Sequence, residues 1–368
     1  MIFLATPAKT MTTNTLAKLF QHGDRKNQFD SLILHPMRIF RLYPLFLILL
    51  LPLACKKQDS CSPDPRITSR EISLELIRLD AAFQDAEDAR SIQRILEEHP
   101  EFTTLFFGLD ALNQTQELAE SLFDLHQDAI FKPLDEALAA EFGDITALEK
   151  ELTEAFQHFT HYFPQEKLPR LYFINSGFAA DFILDEDIII IGLEYFLPEE
   201  SGFAPPELPY YIRKRYAPAY LVPNLMTALS TRFNATQPED RTLLAEMIYY
   251  GKAYHFTKTL LPCTPDSLII GYTADEVAAS YANERYIWSF FVEQDLFFET
   301  NPFIIRKYTG EAPNTDEISP DAPGRLGRWL GWNIVDDFQI KEGLDLETLM
   351  AEPRADHVFR ASGYRPRE

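Results

Sequence analysis

The sequence predicts an α+β protein, mostly α, in which a small sheet of about three strands packs with long helices. Three observations carry this. Apolar residues recur at helical spacing through most of the chain after residue 70. One stretch near the middle, residues 170–197, is instead rich in β-branched and aromatic residues. Within it, Ile188 to Ile191 form an unbroken apolar run, as expected of a strand buried on both faces.

The elements follow in order. From Arg70, Ile72, Leu76, Leu79 and Phe83 predict a first helix, and Ile92, Ile95 and Leu96 a second. Glu101–Gly108 and Gln114–Gln127 give two more. Thr146–Phe163 places Leu148, Leu152, Ala155, Phe156 and Phe159 on one face. The strands RLYFINSGF (Arg170–Phe178) and DFILDEDIIIIGLEYFL (Asp181–Leu197) are bounded by Pro169, Gly177 and the acidic turn Asp185-Glu186-Asp187. Pro209–Tyr216 is a short helix, and Pro218–Phe233 and Arg241–Leu261 are long ones. Thr273 with Glu276 three residues on is a capping box, opening a helix that runs to about Phe298. The last major helix covers Arg325–Phe338. The glycines of GRLGRWLGW (Gly324–Trp332) fall three and four apart on one face, which predicts close helix–helix packing rather than a phosphate cradle.

The N-terminal region reads as targeting. In MRIFRLYPLFLILLLPLACKKQDSCSPDP (Met37–Pro65), Arg38 and Arg41 form a basic region and Leu42–Leu53 an apolar one. A spanning helix needs about 20 apolar residues, so this run is a signal peptide. Its end at Cys55 resembles the lipobox of bacterial lipoproteins, with Pro52 where Leu is usual. The resemblance implies that the Cys55 thiol is acylated and anchors the mature protein to a membrane, facing the periplasm. A plain secreted protein and a short membrane anchor are the alternatives. Residues 1–36 are polar and aperiodic and read as a gene-model extension, with Met37 as the start; an extended basic region is the alternative. The resulting organisation is extension 1–36, signal 37–54, tether 55–69, helical region 70–163, core 164–345 and C-terminal tail 346–368.

Residues 55–368 keep 28 basic and 54 acidic residues, a net charge of −26. Such a chain is a poor direct partner for nucleic acid or an anionic membrane surface. An acyl anchor needs no basic patch and is compatible with it. Beyond Cys55 only Cys61 and Cys263 remain. A disulfide between them in an oxidising periplasm is the alternative, but two isolated cysteines do not make a framework, so both are read as free thiols.

Two long helices after a small sheet resemble the zincin layout, which carries H-E-x-x-H on one helix and a third ligand on a later one. None of the eight histidines is followed by Glu. HFTH (His158–His161) precedes the sheet and reads as a solvated pair. The helix LVPNLMTALSTRF offers no histidine and no acid. The expectation is a zincin-like core without the metal motif, and no cofactor. Nucleotide and nucleophile-elbow motifs are also missing. One carboxylate stands out: Glu284 shares a helical stripe with Val277, Tyr281, Trp288 and Phe291. A buried carboxylate must be paired or neutral. The structural reading pairs it with an arginine such as Arg325; the chemical one makes it part of a ligand site. Glu246 and Tyr250, one turn apart, were candidates to hydrogen-bond toward its helix.

Several segments together resemble the GldB family of gliding-motility lipoproteins from Bacteroidota: RLYFINSGF, DIIIIGLEYFLP, YIRKRYAPAYLVPNLM, LLAEMIYYGKAYHF, GYTADEVAASYANERYIWSFFVEQDLFFET and PGRLGRWLGWNIV. The resemblance covers about Leu168–Val335. That family is distantly similar to predicted zinc proteases, and YGKA (Tyr250–Ala253) stands where their E-G-x-A motif would be, with Tyr250 in place of the metal-binding Glu. The resemblance implies a non-enzymatic envelope lipoprotein, an accessory of gliding motility and type IX secretion, with other envelope proteins of that machinery as partners. The competing expectations are a divergent envelope hydrolase using Glu246, Glu284 or both, and a periplasmic binding module with a pocket under the Gly310–Pro323 loop.

Overall fold

The computed structural model describes residues 61–108 and 114–367. The signal and Cys55 lie outside them. The α+β, mostly α expectation holds, but the sheet has four strands in the order β1-β2-β4-β3. Strands β2 (Arg170–Ile174) and β4 (Ile188–Gly192) pair in parallel, and β3 (Phe182–Leu184) adds antiparallel to β4. The extra strand, β1 (Leu76–Arg78), pairs parallel with β2. It lies where the sequence predicted a helix. The helical spacing of Leu76, Leu79 and Phe83 straddles a three-residue strand and the helix α2 (Leu79–Gln84) that follows it. Tertiary pairing with β2 overrides the local pattern.

The apolar run Ile188–Ile191 is buried on both faces, as expected. Alternation along the strands divides the interior in two. Leu171, Phe173, Ile189 and Ile191 face the large core, while Tyr172, Ile174, Ile188 and Ile190 face a smaller one. The smaller core is closed by α2, α3 (Ala89–Glu98), α4 (Pro100–Phe107) and α5 (Thr115–Gln127), through Leu79, Ile92, Phe102 and Ala119. The larger is closed by α6 (Lys132–Phe142), α7 (Thr146–Tyr162) and the C-terminal helices.

Ahead of these elements, α1 (Pro65–Thr68) buries Ile67. Just before it, Cys61 is disulfide-bonded to Cys263, with Cα atoms 5.3 Å apart. The free-thiol expectation is therefore overturned. The two cysteines are 202 residues apart, and no local pattern in the sequence brings them together.

In the C-terminal half, α8 (Tyr210–Arg213) and α9 (Leu221–Leu229) are shorter than the sequence suggested. The capping box at Thr273 is present, with Glu276 closing it. It follows the short α11 (Asp266–Ile270). The long helix expected from the capping box breaks at Asn283, giving α12 (Ala274–Ala282) and α13 (Glu284–Glu293). Asn283 turns its amide back to Ala279 O at 2.8 Å, the kind of local bond by which Asn competes with helix propagation. After α14 (Pro302–Thr309) and α15 (Leu326–Glu342), the segment read as a tail folds into α16 (Leu346–Ala351) and α17 (Ala355–Ser362). It buries Leu346, Leu349, Met350, Val358 and Tyr364 in the large core.

At the centre lies α10 (Leu243–Leu260), which buries residues around its whole circumference. It crosses α15 with the backbones in contact. A Cβ on Gly251 would lie 2.4 Å from Gly331 O, and one on Gly331 would lie 2.0 Å from Met247 O. The single glycine face expected from GRLGRWLGW is realised in part: Gly331 makes this crossing with Gly251 of YGKA, Gly327 packs on Tyr308 O of α14, and Gly324 lies before α15 in a turn against Ala312. Gly331→Ala should therefore cost about 3 kcal/mol or more, because backbone cannot yield as a side chain can. Gly108→Ala, with positive φ but open space around it, should cost only about 1 kcal/mol. Denaturant titrations compare the two; a smaller loss at Gly331 than at Gly108 would refute the crossing.

Candidate functional site

Three of the four residues singled out from the sequence come together beside this crossing. Glu246 and Tyr250 lie on α10, and Arg325 is the residue that caps α15. They meet around Glu311, which enters from the loop after α14. The Glu311 carboxylate is bound by Arg215 at 2.5 Å, by Arg328 at 3.1 Å and, more loosely, by Arg325 at 3.7 Å. Arg328 also donates to Thr309 O at 2.5 Å, and its guanidinium lies 3.8 Å above the Tyr250 ring. Thr309 in turn donates its hydroxyl to Glu246 at 2.9 Å. Burial alone would raise the Glu311 pKa, but the attraction of Arg325, Arg328 and Arg215 outweighs it and holds the carboxyl well below the usual carboxylate range.

The local backbone explains how Arg325 gets there. Its φ is +64°, a left-handed conformation uncommon for a residue with a Cβ. Gly324 before it passes so close to Ala312 O that a Cβ there would lie 1.9 Å away. The turn points Arg325 at Glu311 and at Gly271 O, 3.3 Å away.

Glu284 is elsewhere. It is buried, as the stripe predicted, at 2% exposure. Its partner is the Tyr364 hydroxyl, not an arginine, and its second oxygen has no partner among the described residues. The Glu284–Arg325 pair is thus corrected: Arg325 is committed to the Glu311 cluster, and Glu284 closes onto the end of the chain. Nor do Glu246 and Tyr250 reach the Glu284 helix; they bond to Thr309 and Arg328. HFTH is corrected in half. His161 is exposed, but His158 is buried with Nδ1 against Glu154 O at 2.8 Å.

Glu246 also lines a cavity of about 690 Å³. Arg241, Tyr249, Lys252 and Arg306 share its wall, and Gly310 is the one point at which the Gly310–Pro323 loop meets it. Lys252 is 1% exposed, and burial pushes its ammonium down to about 8. Its three hydrogen bonds go to Ala235 O (2.7 Å), Glu352 O (2.9 Å) and Met350 O (3.2 Å), so it fastens two stretches of irregular chain to α10. Where α9 faces α10, the polar contact is between two hydroxyls, Thr227 and Thr257, 2.9 Å apart. Among the described residues no group of three His, Cys, Asp or Glu is placed to hold a metal ion.

Sequence reasoning missed a second buried acid, Glu194, just beyond the C-terminal end of β4. It is fully buried, and one oxygen accepts from the Ser176 hydroxyl, from Ser176 N at 3.1 Å and from Phe178 N at 2.8 Å. Those N–H groups belong to the loop after β2, where Gly177 and Phe178 both have φ of +63°. Asn175 in the same loop donates to Asp135 at 2.7 Å, and Asp135 holds buried His126 at 2.7 Å. The missed signal was Glu194 standing directly after an apolar strand. The arrangement is a staple that satisfies the backbone of a tight turn.

Two predictions follow from these buried acids. Glu284→Gln keeps an acceptor for Tyr364, so it should change stability by less than about 1 kcal/mol; Tyr364→Phe strands the Glu284 side chain and should cost about 1–3 kcal/mol. Equal losses in denaturant titrations would reject the pairing. For Glu194, burial pushes the carboxyl up from 4.5 to about 7 against the pull of its hydrogen bonds. A raised carboxyl binds its proton more tightly in the folded state, so its contribution is full below pH 4.5 and is lost as pH rises through about 7. The stability of the wild type minus that of Glu194→Gln should therefore fall by on the order of 3 kcal/mol over that window, at ~1.4 kcal/mol per pH unit. A difference that stays flat or rises with pH would reject the buried-acid assignment.

No curated protein and no solved structure matches the chain. The family described as "Gliding motility protein GldB" matches it over residues 60–366, nearly all of the described fold and beyond the Leu168–Val335 of the motif resemblance. That span takes in the helical region before the sheet and the terminal helices that carry Tyr364. The chain belongs to the GldB family of gliding-motility lipoproteins.

Proposed function

We propose that this protein is a non-enzymatic accessory lipoprotein of the gliding-motility and type IX secretion machinery, held to the membrane by an acylated Cys55 and working in the periplasm by contact with other envelope proteins. The observation that carries the non-enzymatic reading is the engagement of its candidate residues. Glu246 is bonded to Thr309, Tyr250 is covered by Arg328, Arg325 faces Glu311 and Glu284 holds Tyr364. Each is tied to a neighbour within the fold. No described helix is long and apolar enough to cross a membrane, which fits attachment by a lipid.

A complementation assay tests this. In a strain lacking the protein, Glu246→Gln and Glu284→Gln should restore gliding or secretion, while Cys55→Ala should leave the membrane fraction and restore neither. Purified residues 56–368 should carry well under one zinc per chain, since a zinc hydrolase needs three protein ligands and an open position. Stoichiometric zinc, with chelator-sensitive peptide cleavage lost in Glu246→Gln, would turn the reading to the hydrolase. The cavity of about 690 Å³ beside Glu246 favours one second reading, a periplasmic binding module. A polar ligand that raises the melting temperature of wild type but not of Glu246→Gln would establish it.

A further inference from the structure

Cys61 lies six residues after the proposed lipid attachment site, and its bond to Cys263 ties it to the core. Cys263 follows the C-terminal end of the central helix α10, which stops at Leu260. Resting on the reading of Cys55 as the acylated residue, we propose that this disulfide is a leash lock: it holds the face around Cys263 against the lipid surface and sets the height of the domain above it.

Covalent geometry gives the size of the effect. Six residues of chain reach at most ~21 Å. Without the bond, the first buried attachment of the chain is Ile67 in α1. That is twelve residues from Cys55, with a limit of ~42 Å. For a flexible chain the mean spans are roughly 13 Å and 19 Å. The disulfide therefore halves the limit and lowers the mean by about a third.

Charge gives the lock a purpose. Residues 55–368 carry a net charge of −26, so an anionic bilayer pushes the domain outward to the limit of whatever tether it has. Two acids near the bond are neutralised by basic partners. Asp64, three residues from Cys61, is paired with Arg66 at 2.6 Å, and Asp266, three residues from Cys263, is paired with Lys258 at 2.9 Å. His161 at the end of α7 is exposed nearby, close enough to Asp64 to feel its charge. Pairing these acids lowers the electrostatic cost of bringing this face to lipid headgroups. The other end of α10, where Thr242, Ala245 and Glu246 line the cavity, lies ~27 Å further along the helix and stays clear of the bilayer.

The test uses the full lipidated chain in vesicles that contain an acceptor-labelled lipid. A fluorescent amino acid at exposed Gln165, just past α7, serves as donor and reports height by energy transfer. The variant carrying Cys61→Ser and Cys263→Ser should rise by roughly 6 Å on zwitterionic vesicles. It should rise further on phosphatidylglycerol vesicles at low salt. Because that variant risks misfolding, a second keeps the bond and inserts six Gly/Ser residues between Gln58 and Asp59; it should rise by the same amount. Equal heights for wild type and the insertion variant overturn the leash lock. A wild type that does not float with vesicles at all refutes the Cys55 anchor, and the lock with it, and is a separate outcome from floating at an unchanged height.

Discussion

The contact between Gly251 and Gly331 fixes most of what the protein can do with its polar groups. Two helices whose backbones touch cannot slide or rotate without a clash, so α10 and α15 share one register. That register places Tyr250 under Arg328 and brings Thr309 to Glu246 on the same side. It also points buried Lys252 at the backbone of residues 235 and 350–352. The neighbours of each side chain are consequences of the crossing angle, which only glycine at both positions allows.

Charged side chains recur here in one role, closing irregular backbone. Glu311 ties the loop between α14 and α15 to three arginines, Lys252 ties two loops to α10, and Glu194 gathers the N–H groups of the turn after β2. Buried loop backbone needs such partners because water cannot reach it. The three cases differ in protonation. Arginines outweigh the burial of Glu311 and keep it ionised, whereas Glu194 has only neutral donors and is pushed up to about 7. The same residue type therefore responds oppositely in two desolvated sites, and the sign is set by whether a full positive charge is within about 4 Å.

What the sequence made legible was periodic or local. The run Ile188–Ile191, the capping box at Thr273 and the burial of Glu284 all rest on spacings within one element, and all are present. The glycines of GRLGRWLGW were legible only in part: Gly327 and Gly331 lie in α15, but Gly324 precedes it. What it hid was pairing across the chain. Glu284 and Tyr364 are 80 residues apart, Arg215 and Glu311 96, Cys61 and Cys263 202. A helical stripe says that a carboxylate is buried but not what meets it. Strand β1 was hidden for a related reason. At three residues it is too short to show alternation, and it exists because β2 offers it an edge. Arg328 lies within GRLGRWLGW, but its role is not legible there, since it depends on the loop that carries Glu311.

These long-range links converge on α10. Its C-terminal end leads to Cys263 and so to the start of the described chain. Its middle is held to α15 at Gly251, and its N-terminal end lines the cavity beside Glu246. A load on the tether therefore enters the molecule just past the end of the central helix α10, not at a terminus free to fray. A frayed entry would let the first residues peel away locally, at a free energy far below that of global unfolding. With the disulfide in place, peeling stops at Cys61, and anything further requires disturbing the helix on which both the glycine crossing and the arginine cluster depend. Under the reading of Cys55 as the lipid anchor, this couples mechanical resistance of the anchor to the stability of the whole core.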